Sequence, residues 1–463
     1  MDKGKLKTFF LAGLILFSVF QTGELWFGSL SSHNFFYNLW AKSDYTNIVY
    51  SGEPVHLLQP TEIIINFGVE GGKYNILKNT KEEFKIAQKE MADILGKTFS
   101  SGEFISQQEL SWRDILSQRS ILYKYPGTIP MKELVDSQNK IAAKIPGFDQ
   151  ILVVPGRTIN QKINCFFIDE SSDYVYVVAV KHDVLVLHEV IDNLRDDIAK
   201  ISYISTKQVN MNQFENNVFL PTFNTHPVYQ KIEIKDEIKE NGEVNEEKLE
   251  RLINPLFINP TLKRKQQTQD GTIYYIEGNT MVKYFTTGVI EYLDQSRTKK
   301  DDSLSFIEAY QVAKSFLDKH KMGLNQDDLK GDLLYLSGQK QTNSGWEFCF
   351  DFKFKDIPYD FSREITNKTG MKHAVEIVIQ DKKIKEYKRV TWIGYLLDEE
   401  AEVNLTYPEA LGEVVKRLND EEANNIKIKD MYWAYYQKEI DKPAEVYWMI
   451  KAGNKIYPIK ASR

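Results

Sequence analysis

Residues 305–320 read SFIEAYQVAKSFLDKH, and residues 406–420 read TYPEALGEVVKRLND. Both open with a hydroxyl residue, then Glu, then Ala at the same steps: Ser305, Glu308 and Ala309 in one, Thr406, Glu409 and Ala410 in the other. This spacing is a capping box. The hydroxyl accepts from an open N–H of the first turn, and the glutamate reaches back to the N-cap N–H. Each stretch therefore predicts the start of an amphipathic helix. An aromatic strand carrying Gln-Lys follows each, at Gln339-Lys340 and Gln437-Lys438. A second strand comes next, WEFCFDFKF at 346–354 or AEVYWMIKAG at 444–453. In the first of these, Trp346, Phe348, Phe350, Phe352 and Phe354 fall on one face. Glu347, Cys349, Asp351 and Lys353 fall on the other, because successive side chains of a strand point to opposite sides. The nearly constant offset predicts a duplicated helix–strand–strand unit near the C-terminus. The fold class this implies is α+β, with antiparallel sheets carrying packed helices.

Upstream, TEIIINFGV at 61–69 predicts a strand. Thr80 and Glu83 have capping-box spacing, and Phe84, Met91 and Leu95 recur on one helical face. A second helix is expected near Ser106, with Glu109 three residues on. YKYPGTIP at 123–130 is expected as a loop broken by Pro126 and Pro130, and 131–144 as a third helix. Strands then dominate: QILVVPG at 150–156, KINCFFID at 162–169 and DYVYVVAV at 173–180. The stretch 183–202 is open between strand and helix. A short helix is expected at 246–253, a loop at 254–271, and a hairpin across 271–293 with its turn at 277–279.

The chain has 463 residues, of which 42% are hydrophobic, 27% charged and 13% aromatic. That length exceeds one ordinary core, and the aromatic content favours strands. The net charge of −6 is built from interspersed signs, so no basic face for nucleic acid is implied. Two cysteines, Cys165 and Cys349, make no disulfide scaffold. Cys165 lies in an apolar strand and is expected as an inert core thiol. His182 and His188 are expected as ordinary surface histidines, too far apart along a strand for one metal. LGKT at 95–98 lacks the earlier glycine of a phosphate loop, since Met91 stands there. NQDDLKGD at 325–332 lacks the alternating oxygens of a calcium loop. No Gly-x-Ser-x-Gly elbow occurs. With 65 acidic residues, no catalytic carboxylate pair stands out. No cofactor, metal or catalytic residue is predicted, and the reading is of a protein that is not an enzyme.

The N-terminus reads MDKGKLKTFFLAGLILFSVFQTGELWFGSL. Residues 8–20 alone are too short to cross a bilayer. Extended to residue 30, a helix reaches about 34 Å against a hydrocarbon core of about 30 Å. Glu24 falls near the far end, where a carboxylate costs less than at mid-membrane, and Trp26 beside it suits the interfacial belt. Cleavage at the small-x-small site Ser29-Leu30-Ser31 is the competing reading. Lys3, Lys5 and Lys7 precede the span, which places the N-terminus in the cytoplasm and the bulk outside. The expected organisation is a cytoplasmic tail at 1–7, a transmembrane helix at 8–30, an extracytoplasmic α+β region at 31–148, a central β-rich region at 149–300 and the duplicated region at 301–463. The location is the cell membrane, crossed once.

A short basic tail, one span ending in ELW, the hairpin at 271–293 with its following helix, and a C-terminal unit ending AEVYWMIKAGNKIYPI together resemble the YycH family. The C-terminal unit is also similar to the YycI protein and to PepSY-like units. The resemblance implies a non-catalytic regulator of a two-component system controlling cell-wall metabolism. It implies a sensor histidine kinase, WalK or YycG, and a YycI-like protein as partners. Contact would run through the transmembrane helix, where Gly13 and Gly23 permit close approach, Glu24 offers a hydrogen bond and Trp26 anchors the interface. Glu24 departs from a plain apolar span. An extracytoplasmic binding module or peptidase inhibitor is the alternative, and a cell-wall hydrolase a more distant one.

Overall fold

A computed structural model describes residues 59–463, apart from 69–71, 79–80, 136–138, 157–161, 195–200, 298–303, 321–333, 419–425 and residue 441. The expected transmembrane helix at 8–30 and the acidic run at 325–332 lie outside the described residues. Among the described residues no helix is long and apolar enough to cross a membrane.

The first half builds a nine-stranded antiparallel sheet from β1 (Glu62–Asn66), β2 (Tyr74–Ile76), β3 (Glu103–Glu109), β4 (Ser120–Pro130), β5 (Gly147–Val154), β6 (Lys162–Ile168), β7 (Tyr174–Lys181), β8 (Ile201–Ser205) and β9 (Phe219–Phe223). Their order is β3-β7-β6-β5-β4-β1-β2-β8-β9. The central strands are apolar on both sides because both faces are covered. On one face pack helix α1 (Glu82–Ser101) and helix α3 (Leu185–Asp192), and on the other the single turn α2 (Trp112–Ile115). α1 presents Phe84, Ala87, Met91, Ile94 and Leu95 to the sheet, at the three- and four-residue spacing of a helical stripe.

Four expectations are corrected here. Residues 103–109 form a strand rather than a helix. β3 is a sheet edge paired with β7, where only Phe104 packs on the core and most other side chains are exposed, so its largely polar sequence carries little apolar alternation. Residues 123–130 continue β4 rather than forming a loop. Pro126 falls where the β4–β5 register slips between Lys124 and Ile129, a bulge that needs no N–H from it. In place of a helix over 131–144 there is a 3₁₀ turn at Met131–Glu133 and further turns, with Met131, Leu134, Ile141 and Ile145 all buried. The helix containing Phe84 begins at Glu82 behind Lys81 with no side-chain cap, and Thr80 lies outside the described residues. The open stretch at 183–202 resolves into α3 followed by β8.

The second half begins with β10 (Val228–Asp236), β11 (Lys239–Glu240), β12 (Glu243–Val244) and helix α4 (Glu246–Ile253). Then come β13 (Arg264–Gln267), β14 (Ile273–Glu277), β15 (Thr280–Phe285) and β16 (Val289–Asp294). The hairpin is as expected: β14 and β15 pair through Glu277 and Thr280 around a two-residue turn. The expected loop at 254–271 also contributes β13, which pairs with β14. Helix α5 (Phe306–Lys319), β17 (Leu334–Thr342), β18 (Gly345–Phe354), β19 (Ile357–Asp360), helix α6 (Arg363–Thr369), β20 (Val375–Gln380), β21 (Lys383–Val390) and β22 (Trp392–Glu402) follow. Helix α7 (Tyr407–Val415), β23 (Ile428–Tyr436), β24 (Glu445–Ala452) and β25 (Lys455–Lys460) complete the chain. Twelve of these strands form a second sheet, and β10 and β22 a separate two-stranded ribbon. All strand pairs in the second sheet are antiparallel except β19 with β23.

β18 ties the fold together. Its five aromatic residues alternate with half-buried polar ones, as read from the sequence. Trp346, Phe348 and Phe350 join the core under α5 that continues into the first sheet. Phe352 and Phe354 enter a second core under α7. Each ring withdrawn from water contributes roughly 1.5–3 kcal/mol. Both capping boxes form. Ser305 Oγ accepts from Glu308 N–H at 3.2 Å, and Glu409 Oε2 accepts from Thr406 N–H at 2.9 Å. The two capped helices share a further contact. Trp346 Nε1 donates to the Leu304 carbonyl at 3.0 Å, and Trp448 Nε1 donates to the Leu405 carbonyl at 2.8 Å. In each case a strand tryptophan holds the residue just before the capping hydroxyl, which fixes the helix start against its hairpin.

Candidate functional site

A cleft of about 920 Å³ opens between the first sheet and the C-terminal strands. The first sheet supplies Thr61, Glu62, Lys124, Tyr203 and Phe219. The opposite wall carries Tyr229, Tyr335, Asp351, Lys353, Asp360, His373, Asp430, Tyr432 and Lys451. The geometry follows from strand register. Lys124 and Glu62 are cross-strand partners in β4 and β1. Asp351 and Lys353 occupy the polar face of β18, with Tyr335 of β17 opposite Asp351.

Most of the charges in the cleft are held by neighbours. Tyr432 Oη donates to Asp360 Oδ2 at 2.6 Å. Lys451 Nζ lies 3.7 Å from Asp430 and 4.7 Å from the Tyr432 ring centre. Lys353 Nζ donates to the Thr61 carbonyl at 3.0 Å and stands 4.8 Å from the Tyr335 ring centre. Burial raises both Asp360 and Asp430 above the usual carboxylate range, against the pull of the Tyr432 hydroxyl in one case and Lys451 in the other. Burial likewise lowers the Lys353 ammonium. Lys124 behaves differently. Burial alone would lower it, but the summed field of Glu62, Glu170, Asp430 and Asp149 outweighs that and holds it above its ordinary value.

At the rim, His373 Nδ1 lies 2.9 Å from Asp351 Oδ2, and Asp351 Oδ1 accepts from Ala374 N–H at 3.0 Å. The Asp351 hydrogen bond first, and contact with Cys349 second, push His373 up to about 10. Both contacts favour the imidazolium form. Ser337 Oγ approaches the same Nδ1, at 3.5 Å. A hydrolytic triad instead needs a neutral imidazole with the acid on one nitrogen and the nucleophile on the other. The arrangement is an ion pair with a neighbouring hydroxyl, not a relay.

None of the cleft residues was singled out from sequence, although Asp351 and Lys353 stood on the expected polar face of 346–354. The expected partner-contact residues Gly13, Gly23, Glu24 and Trp26 lie outside the described residues. Cys165 is buried in the first core, as expected, and burial pushes its thiol up to about 12. His182 is a correction. It is buried rather than on the surface, between Glu90 at 2.7 Å and Lys97 at 3.0 Å. His188 sits on α3, where its Nε2 meets the Gly156 carbonyl at 3.0 Å. Among the described residues no group of histidine, cysteine and carboxylate side chains has metal-binding geometry.

No protein-family profile matches the sequence, and no curated protein matches it. The likeness to known proteins is one of fold. The class that shares it is an α+β body of antiparallel sheets with helices packed on them. A solved member of that class is YycH from Bacillus subtilis, with a TM-score of 0.52 over 88% of this chain and 97% of that one, at 14% identity. The resemblance read from strand–helix rhythm is thus met at the level of fold. An uncharacterized protein from Eubacterium rectale superposes less well, with a TM-score of 0.33 over 53% of this chain and 86% of that one, at 13% identity.

Proposed function

We propose that this chain is a non-catalytic, membrane-anchored regulator of a sensor histidine kinase of the WalK or YycG type, within a two-component system controlling cell-wall metabolism. The observation that carries the reading is the fold shared with YycH across most of both chains. The composition of residues 8–30 supports the anchor. Residues 1–7 would lie in the cytoplasm, and the regions 31–148, 149–300 and 301–463 outside, the last built from a duplicated unit. A kinase of this kind passes signals through small shifts of its membrane helices. An added helix with unequal affinity for two states biases them. Gly13 and Gly23 would allow close packing, Glu24 a hydrogen bond across helices and Trp26 an interfacial anchor. A YycI-like protein would share the contact.

Replacing residues 8–30 with an unrelated apolar span tests this. Kinase output should change while the exterior keeps its fold. Unchanged output would remove the helix-contact reading. A second reading, an extracytoplasmic binding module, is favoured by the cleft. A fragment from residue 31 that retains full regulatory activity without the span would support it.

A further inference from the structure

We infer that the cleft between the sheets is a binding site for a short peptide with a free C-terminal carboxylate, and that Lys124 is the residue that receives that carboxylate.

The argument starts from which charges are already used. Asp351, Asp360 and Asp430 each have a partner described above. Lys353 spends one of its three donors on the Thr61 carbonyl. The Lys124 carbonyl accepts from Thr61, but its ammonium has no hydrogen bond or ion pair among the described residues. Its ammonium has only the Phe219 ring, 5.8 Å away at the centroid. Lys124 is half-buried in the cleft wall, and an ammonium is a three-donor group whose donors remain open to whatever enters the cleft. An incoming carboxylate supplies an acceptor, and charge-assisted hydrogen bonds are the strong ones.

The surroundings define the rest of the ligand. The cleft walls carry eight cationic side chains, counting the His373 imidazolium, against five carboxylates. The whole chain, by contrast, has a net charge of −6. An acidic protein with a cationic cleft selects a net-anionic occupant. Between the charges stand tyrosine and phenylalanine rings, among them Tyr203, Phe219, Tyr335 and Tyr432. Rings with polar tips give flat apolar contact together with hydroxyl groups that can bond amides. The volume is at the upper end of the range for small-ligand sites, which accommodates several residues of peptide rather than a single ion. Carboxylate, amide and apolar side chain in one small molecule describe a peptide end.

Binding is measured directly on the full-length protein in detergent, so the result does not depend on whether a kinase is regulated. The probes are a set of tripeptide acids that includes alanyl-tyrosyl-alanine, the matching C-terminal amides, and inorganic phosphate. Calorimetric titration should show at least one acid binding about tenfold or more tighter than its amide, the loss expected for one charge-assisted bond. Lys124→Met should remove that preference and Lys124→Arg restore most of it. Amides that bind as tightly as acids, phosphate that competes as well as the peptides, or no binding by any acid would each overturn the inference. The acid–amide comparison uses unaltered protein and stands whatever Lys124→Met does to folding.

Discussion

Trp346 and Trp448 show how one atom can seat a helix. Both indole N–H groups are buried and donate to a carbonyl just before a cap. Changing either to Phe keeps the ring contact but strands the carbonyl, a cost of roughly 1–3 kcal/mol. Urea unfolding should therefore show similar losses for Trp346→Phe and Trp448→Phe. A loss in only one would mean that the two units are not built alike. Asp149 offers a test by pH. Burial first, and the nearby Glu170 charge as well, push its carboxyl from 3.8 up to about 7, although Glu170 N–H donates to it. A carboxyl whose folded pKa is raised favours folding at low pH. Its contribution is complete below about pH 4 and is lost as pH rises through 7. Asp149→Asn should thus match the parent near pH 4 and gain on it by on the order of 2 kcal/mol by pH 8, read from denaturation midpoints.

At the scale of elements, the caps of α5 and α7 were legible because a capping box is a local device: its partners lie three residues apart. Ser305→Ala and Thr406→Ala should each cost about 1 kcal/mol in thermal or chemical unfolding. β18 was legible for the same reason, since alternation is written into consecutive residues. β3 was not, because an edge strand that buries little beyond Phe104 needs no sustained apolar alternation, and its polar run resembles a helix start. The stretch after residue 130 deceived in another way. Met131, Leu134, Ile141 and Ile145 mimic a helical face, yet they reach the core from a 3₁₀ turn and loops. Burial alone does not reveal which backbone delivers it. The Trp–carbonyl bonds were invisible for a third reason. Their acceptors are chosen by how a helix lies on a hairpin, which no spacing within either element records.

For the whole molecule, the α+β class and the likeness to YycH could be read from rhythm along the chain. The cleft could not, because Thr61 and Lys353 meet there across 292 positions of sequence. The body accounts for a shaped, charged cavity on an antiparallel scaffold, and the proposed anchor accounts for how that cavity could matter to a neighbour in the membrane. If the span is the working contact, the most direct measurement is site-specific photocross-linking in living cells from position 23, with mass spectrometry of the captured species. The account predicts an adduct between full-length protein and a sensor histidine kinase. Full-length protein present in the membrane with no kinase adduct, or a mature chain released from the bilayer and beginning after residue 31, would contradict it.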